Sequence, residues 1–124
     1  MNGAIEMGYY LTIVEQDLKC KKDIAEELKK LFESQELYYF WDYDKSTIRH
    51  GEGYFKWTEG FIKDLLILKK LGARGHITCY GEEGEYYKFE ATDECVKEFY
   101  GSVRFPKKAT NVFKSEKDLK KLDT

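Results

Sequence analysis

Two histidines and three cysteines, His50, His76, Cys20, Cys79 and Cys95, are the side chains of this 124-residue chain best suited to nucleophilic or metal chemistry. No two of them lie at the close spacing typical of a zinc site. His76 and Cys79 sit three apart on a predicted strand, so alternation sends them to opposite faces, which is the wrong geometry for a thiol and its base. Cys95 follows Asp93 and Glu94, whose charge disfavours a thiolate. Cys79 falls on the inward face of its strand and reads as a small core residue. Glu82 with Glu83, or Glu52 with one of these, offers a carboxylate pair, but adjacent acids at a turn are ordinarily solvated. The glycine pairs at Gly51 ("GEG") and Gly81 ("GEEG") enclose acids and would repel a phosphate. The expectation is no catalytic residue, no metal, no cofactor and no enzymatic activity.

The elements that would position these residues are readable from periodicity. "GYYLTIV" (Gly8 to Val14) reads as a strand with Tyr9, Leu11 and Ile13 on one face and Tyr10, Thr12 and Val14 on the other. Ile24, Leu28, Leu31 and Phe32 form one apolar stripe, which predicts a helix over Lys22 to Ser34. Lys19, Lys21 and Lys22 crowd its N-terminal end, where positive charge opposes the helix dipole. Either the helix starts later, near Asp23, or these lysines serve a partner. "LYYFWDY" (Leu37 to Tyr43) predicts a second strand. A third is interrupted at "HGEG", where Gly51 and Gly53 mark a bulge or bend before "YFKW".

Thr58 is the expected N-cap of a second helix, Glu59 to Leu71, whose apolar face holds Phe61, Ile62, Leu65, Leu66 and Leu68. Gly72 is placed to end it in a left-handed conformation. A hairpin follows from Gly75 to Ala91. Ile77, Cys79, Tyr87, Phe89 and Ala91 point one way, and His76, Thr78, Tyr80, Tyr86, Lys88 and Glu90 the other. A further strand is centred on Ser102 to Phe105. We expect one α+β domain over residues 1–106 and a basic tail over 107–124, whose Ser115-x-x-Asp118 suggests a short helix. The order strand, helix, strand, strand, helix, strands fits a ferredoxin-like split βαβ arrangement. Its antiparallel sheet would carry two helices on one face and an additional C-terminal hairpin and strand.

Charge narrows the function. The formal net charge is only −2, so no global field points to nucleic acid. Residues 107–124 carry six Lys against three acids, whereas seven acids between Glu82 and Glu98 face only Lys88 and Lys97. The three cysteines fit reduced thiols in a cytoplasm, and no apolar run is long enough to span a membrane. Tyr10, Tyr38, Phe40, Tyr80 and Tyr86 could form an open aromatic sheet face. Such a face suits a protein interface with a polar rim, or base stacking. The RNA-recognition signature is absent, and the hairpin's acids work against a polyanion. The expected contact residues are therefore Tyr80, Glu82, Glu83, Glu85 and Tyr86, engaging a protein. A nucleic-acid or nucleotide-binding ferredoxin-like domain is the alternative, and a small enzyme is the third reading.

The opening strand with Gly8-Tyr9, "GYFKWTEGFIKDLLI" and "YGEEGEYYKF" together resemble small uncharacterised proteins, domains of unknown function, of bacteria and their phages. The resemblance covers roughly Gly8 to Val103 and brings no catalytic residue with it. It implies a mobile-element accessory protein in a bacterial cytoplasm: an inhibitor of a host defence system, as anti-CRISPR proteins are, bound to a host protein or nucleoprotein complex. A homodimer is a further expectation. The chain is less acidic than a DNA mimic.

Overall fold

The first predicted strand lies in the middle of the sheet. The computed structural model describes residues 10–101 and 108–123. Its elements are β1 (Leu11–Lys19), α1 (Ala25–Glu33), β2 (Trp41–Asp44), β3 (Thr47–His50), β4 (Tyr54–Phe55), α2 (Thr58–Lys70), β5 (Arg74–Gly81), β6 (Tyr86–Ala91), β7 (Val96–Gly101), β8 (Asn111–Phe113) and a 3-10 helix (Glu116–Asp123). The eight strands form one sheet in the order β2-β3-β1-β5-β6-β7-β8, with β4 paired to β1. Every pairing is antiparallel. The α+β expectation with an antiparallel sheet and two helices therefore holds.

β1 changes parity along its length. Leu11 and Leu18 are both buried although seven positions apart, which strict alternation forbids. A bulge between Ile13 and Glu15 resolves this, leaving Val14 55% exposed. The Ile13 N–H at the bulge donates to the Gly53 carbonyl at 2.7 Å.

One face of the sheet carries both helices. Ile24 and Leu28 from the α1 segment, and Phe61, Ile62, Leu65 and Leu68 from α2, share a single core cluster with Leu18, Ile48, Ile77 and Phe89. Phe55 and Phe61 stack with centroids 3.9 Å apart, and Phe89 meets the Phe61 ring edge-on at 5.1 Å. Burying one such side chain contributes about 1.5–3 kcal/mol. All five predicted apolar residues of α2 are buried. In α1 the expected stripe is narrower, because Phe32 is exposed and packs on Phe40 instead.

Several boundaries differ from expectation for identifiable reasons. The strand expected over Leu37 to Tyr43 begins only at Trp41. The fully buried Asp64 carboxylate of α2 takes the N–H groups of Tyr38 and Tyr39 at 2.8 and 2.9 Å, so those donors are not available to a strand ladder. It also accepts the Trp41 indole N–H at 2.8 Å. α1 starts at Ala25, whose N–H donates to Asp23 Oδ1 at 3.0 Å, so Lys19, Lys21 and Lys22 precede the helix. The N-cap of α2 is the extended Trp57, without a side-chain cap bond, rather than Thr58. Gly72 does take the left-handed conformation after α2, at φ +112°.

The final strand expected near Ser102 to Phe105 begins earlier, at Val96, and its expected centre lies outside the described residues, as do Gly8 and Tyr9. Within the basic C-terminal segment, Phe113 of β8 and Leu119 of the 3-10 helix are both buried in the core.

Candidate docking face of the sheet

The opposite face of the sheet is best read row by row across the strands. At the hairpin end, Thr12 pairs with Tyr54 on one side and with Tyr80 on the other, and Tyr80 pairs with Tyr86. Residues in register share a face, so Tyr54, Thr12, Tyr80 and Tyr86 form one row across four strands. The Tyr80 and Tyr86 rings meet edge-to-face with centroids 5.0 Å apart. Tyr10, just before β1, meets Tyr54 in the same way at 5.3 Å, and Lys56 Nζ lies 4.7 Å from the Tyr10 ring centre. Tyr10, Tyr54 and Tyr80 are 37%, 46% and 42% exposed, while Tyr86 is half-buried. A shallow concavity of about 420 Å³ opens among Tyr10, Thr12, Tyr54 and Glu82.

The predicted acidic residues surround this row unevenly. Glu82 accepts the backbone N–H of Tyr10, which ties the hairpin tip to the start of β1. Glu85 Oε1 accepts the Glu83 N–H at 3.3 Å. The tip is closed by Gly81 N–H to the Glu85 carbonyl at 2.8 Å, and Gly84 supplies a left-handed φ of +90°. The five predicted residues thus sit together at one hairpin end.

Further along the face, polar side chains pair in register. Asp17 pairs with His76, His76 with Glu90, and Glu90 with Lys97. His76 Nε2 also lies 3.1 Å from Glu15 Oε1. The Glu90–Lys97 pair sets opposite charges side by side across two strands, which supports the sheet.

The five aromatics expected on one open face do not gather. Tyr38 and Phe40 lie on the loop that Asp64 holds, where Tyr38 meets Trp57 at 4.7 Å and Phe40 meets Phe32 at 5.1 Å. Tyr54 takes a place in the tyrosine row that sequence reasoning missed. The signal was weak, because two residues of β4 beside two glycines carry little periodicity.

The nucleophile and metal candidates lie apart from this face or have structural roles. All three cysteines are buried, and burial pushes the Cys79 thiol well up. His76 and Cys79 point to opposite faces, as expected. His50 is only 4% exposed and is boxed by Tyr39, Trp41, Phe55 and Phe61, with ring centroids 4.9–5.9 Å away. Its Nδ1 accepts the Glu52 N–H at 3.3 Å. Among the described residues its Nε2 has no hydrogen-bond partner, and burial lowers its pKa to about 4. Burial pushes the Asp64 carboxyl up, against the pull of its three donors, and burial likewise raises Glu98, against its 2.6 Å bond from Asn111 Nδ2. Among the described residues no group of three or more His, Cys, Asp or Glu could hold a metal ion, and no helix is long and apolar enough to cross a membrane. Comparison with protein-family models, curated proteins and solved structures returned no match, so the functional reading rests on this geometry.

Proposed function

We propose that the protein is a non-enzymatic interaction module that docks a protein partner on the open face of its sheet, at the hairpin end. The observation that carries this reading is the tyrosine row. Tyr54, Tyr80 and Tyr86 share one line across the sheet, and Tyr10 adds a ring at its start. Tyrosines supply large contact area with few rotatable bonds, and exposed aromatics grouped this way are typical of interface centres. Glu82, Glu83 and Glu85 would form the polar rim.

The charge pattern favours a protein over a nucleic acid. Glu90 beside Lys97, and Lys88 opposite Thr78, put acids and lysines on the same face, which suits a partner of mixed charge. A polyanion would meet Glu82, Glu15, Asp17 and Glu90 on the same face. The nucleic-acid alternative draws on the same aromatic row, since open sheet aromatics can stack bases.

At the level of architecture we read the fold as ferredoxin-like with an extension. The order β2-β3-β1-β5, with α1 between β1 and β2 and α2 before β5, supports that reading, and β6 to β8 widen the sheet. A setting in a phage or other mobile element, acting on a host defence system such as CRISPR-Cas, is carried by the sequence resemblance alone.

The experiment is a comparison of the wild type with Tyr80→Ser/Tyr86→Ser and with Glu82→Lys/Glu83→Lys/Glu85→Lys. Captured host proteins would be quantified from lysate, with single-stranded RNA and DNA titrated in parallel at low and high salt. Loss of a captured partner in both variants, with thermal stability nearly unchanged, is the expected result. Partner capture that survives both variants removes the assignment. Salt-sensitive oligonucleotide binding lost with the tyrosines would transfer it to the alternative.

A further inference from the structure

The opposite end of β1 holds a second, chemically different feature. β1 runs about 23 Å from Thr12 in the tyrosine row to Lys19. There a concavity of about 520 Å³ opens between the end of β1, the link to α1, the β2–β3 turn and the C-terminal end of α2. That volume lies in the usual range for small-molecule pockets, about 300–1,000 Å³.

Its walls are basic. Lys19, Lys21, Lys22 and Arg74 line it, against the single acid Asp93. Arg74 already engages Asp93, with Nε 2.7 Å from Oδ1. That guanidinium, and at longer range Lys69 and Lys21, hold the Asp93 carboxyl below its ordinary pKa. Asp93's charge is therefore matched within the chain. Lys19 has only a loose contact with Asp17 at 3.7 Å. Among the described residues no carboxylate lies within 4.0 Å of Lys21 or Lys22.

The helix end that would repel an anion is largely occupied. The Leu68 carbonyl accepts the Leu71 and Ala73 N–H groups, and the Lys69 carbonyl accepts those of Gly72 and the Arg74 guanidinium. The Leu71 carbonyl lies 3.5 Å from Cys20 Sγ. Cys20, Leu71 and Gly72 give the pocket an apolar floor beneath the lysines.

We propose that this pocket binds a small organic phosphate, its phosphate facing Lys21 and Lys22 and its organic part resting on the floor of Cys20, Leu71 and Gly72. Nothing in the local fold requires these lysines, because α1 begins after them and Asp23 supplies its first acceptor. Lys19, Lys21 and Lys22 all line the concavity, so an anion bound there meets several positive charges at once.

The test is calorimetric titration of the full chain at low salt with ADP and pyrophosphate as probes, and a single-stranded oligonucleotide as a third arm. Saturable ADP binding is expected, tighter than pyrophosphate and weakened by salt. Lys21→Glu/Lys22→Glu should weaken it at least about tenfold, equivalent to about 1.4 kcal/mol. Lys21→Arg/Lys22→Arg should retain it. Both positions are exposed, so circular dichroism should show the fold intact in each variant. Absence of saturable ADP binding, binding indifferent to the charge reversal, or equal affinity for pyrophosphate would overturn the proposal. So would an oligonucleotide that binds more tightly than ADP through the same two lysines.

Discussion

Acidification should weaken this protein through one histidine. His50 is neutral in the fold, with a pKa lowered to about 4 by burial among aromatic rings. In the unfolded chain it would titrate near the ordinary value of about 6.5. Between those values the unfolded state binds the proton and the native state does not, so stability falls as pH falls through this window. The loss works out at about 2 kcal/mol at pH 5 and about 3 kcal/mol at pH 4, and it levels off once both states are protonated. Asp64 and Glu98 act in the opposite sense. Their carboxyls are raised by burial, so the native state takes up their protons first and gains stability on acidification. The clean quantity is therefore a difference between proteins. His50→Phe keeps a ring in the box and removes the titration. Urea unfolding followed by tryptophan fluorescence, with Trp41 in ring contact with His50 at 5.1 Å, gives the stability of each protein at pH 7.5, 5 and 4. Relative to the variant, wild type should lose about 3 kcal/mol from pH 7.5 to pH 4. A difference that stays constant within about 0.5 kcal/mol over that range would refute the reasoning, because His50 would then titrate alike in both states.

Two further substitutions test the framework that carries the site. Asp64→Ala leaves three donors without their acceptor, those of Tyr38, Tyr39 and Trp41, and should cost about 3–5 kcal/mol by urea unfolding. The Trp41 emission should also shift as the indole loses its partner. Gly75→Ala places a Cβ against the Asp17 carbonyl of β1 at φ +132°, and a destabilisation of about 3 kcal/mol is expected from the melting temperature.

The parts of the fold with long, regular periodicity were legible in the sequence. The face of α2, the two sides of the hairpin, Gly72 as a helix stop and the interruption at Gly51 to Gly53 all follow from local pattern. What escaped depended on distant partners. Asp64 sits in the same helical stripe as Phe61, Leu65 and Leu68, and a carboxylate among apolar positions is a signal in its own right. Its acceptors, however, serve a segment 23 to 26 positions away, and that is what shortens β2. The clustering of Tyr80 and Tyr86 was readable from alternation. The addition of Tyr54, and the removal of Tyr38 and Phe40, came from pairings that only the assembled sheet determines.

The bulge in β1 acts like a frame correction in a message read in twos. Before Val14 the odd positions go inward, and after it the even ones do. Pairing Val14 into the ladder opposite Cys79, so that the bulge closes while Leu18 stays in place, would invert the first half of the strand. Leu11 and Ile13 would then face solvent, and Thr12 would leave the tyrosine row for the core. One extra residue in the central strand therefore decides which surface the protein presents at one end. The lysines at the other end keep their place, so the two ends of β1 can change independently of each other.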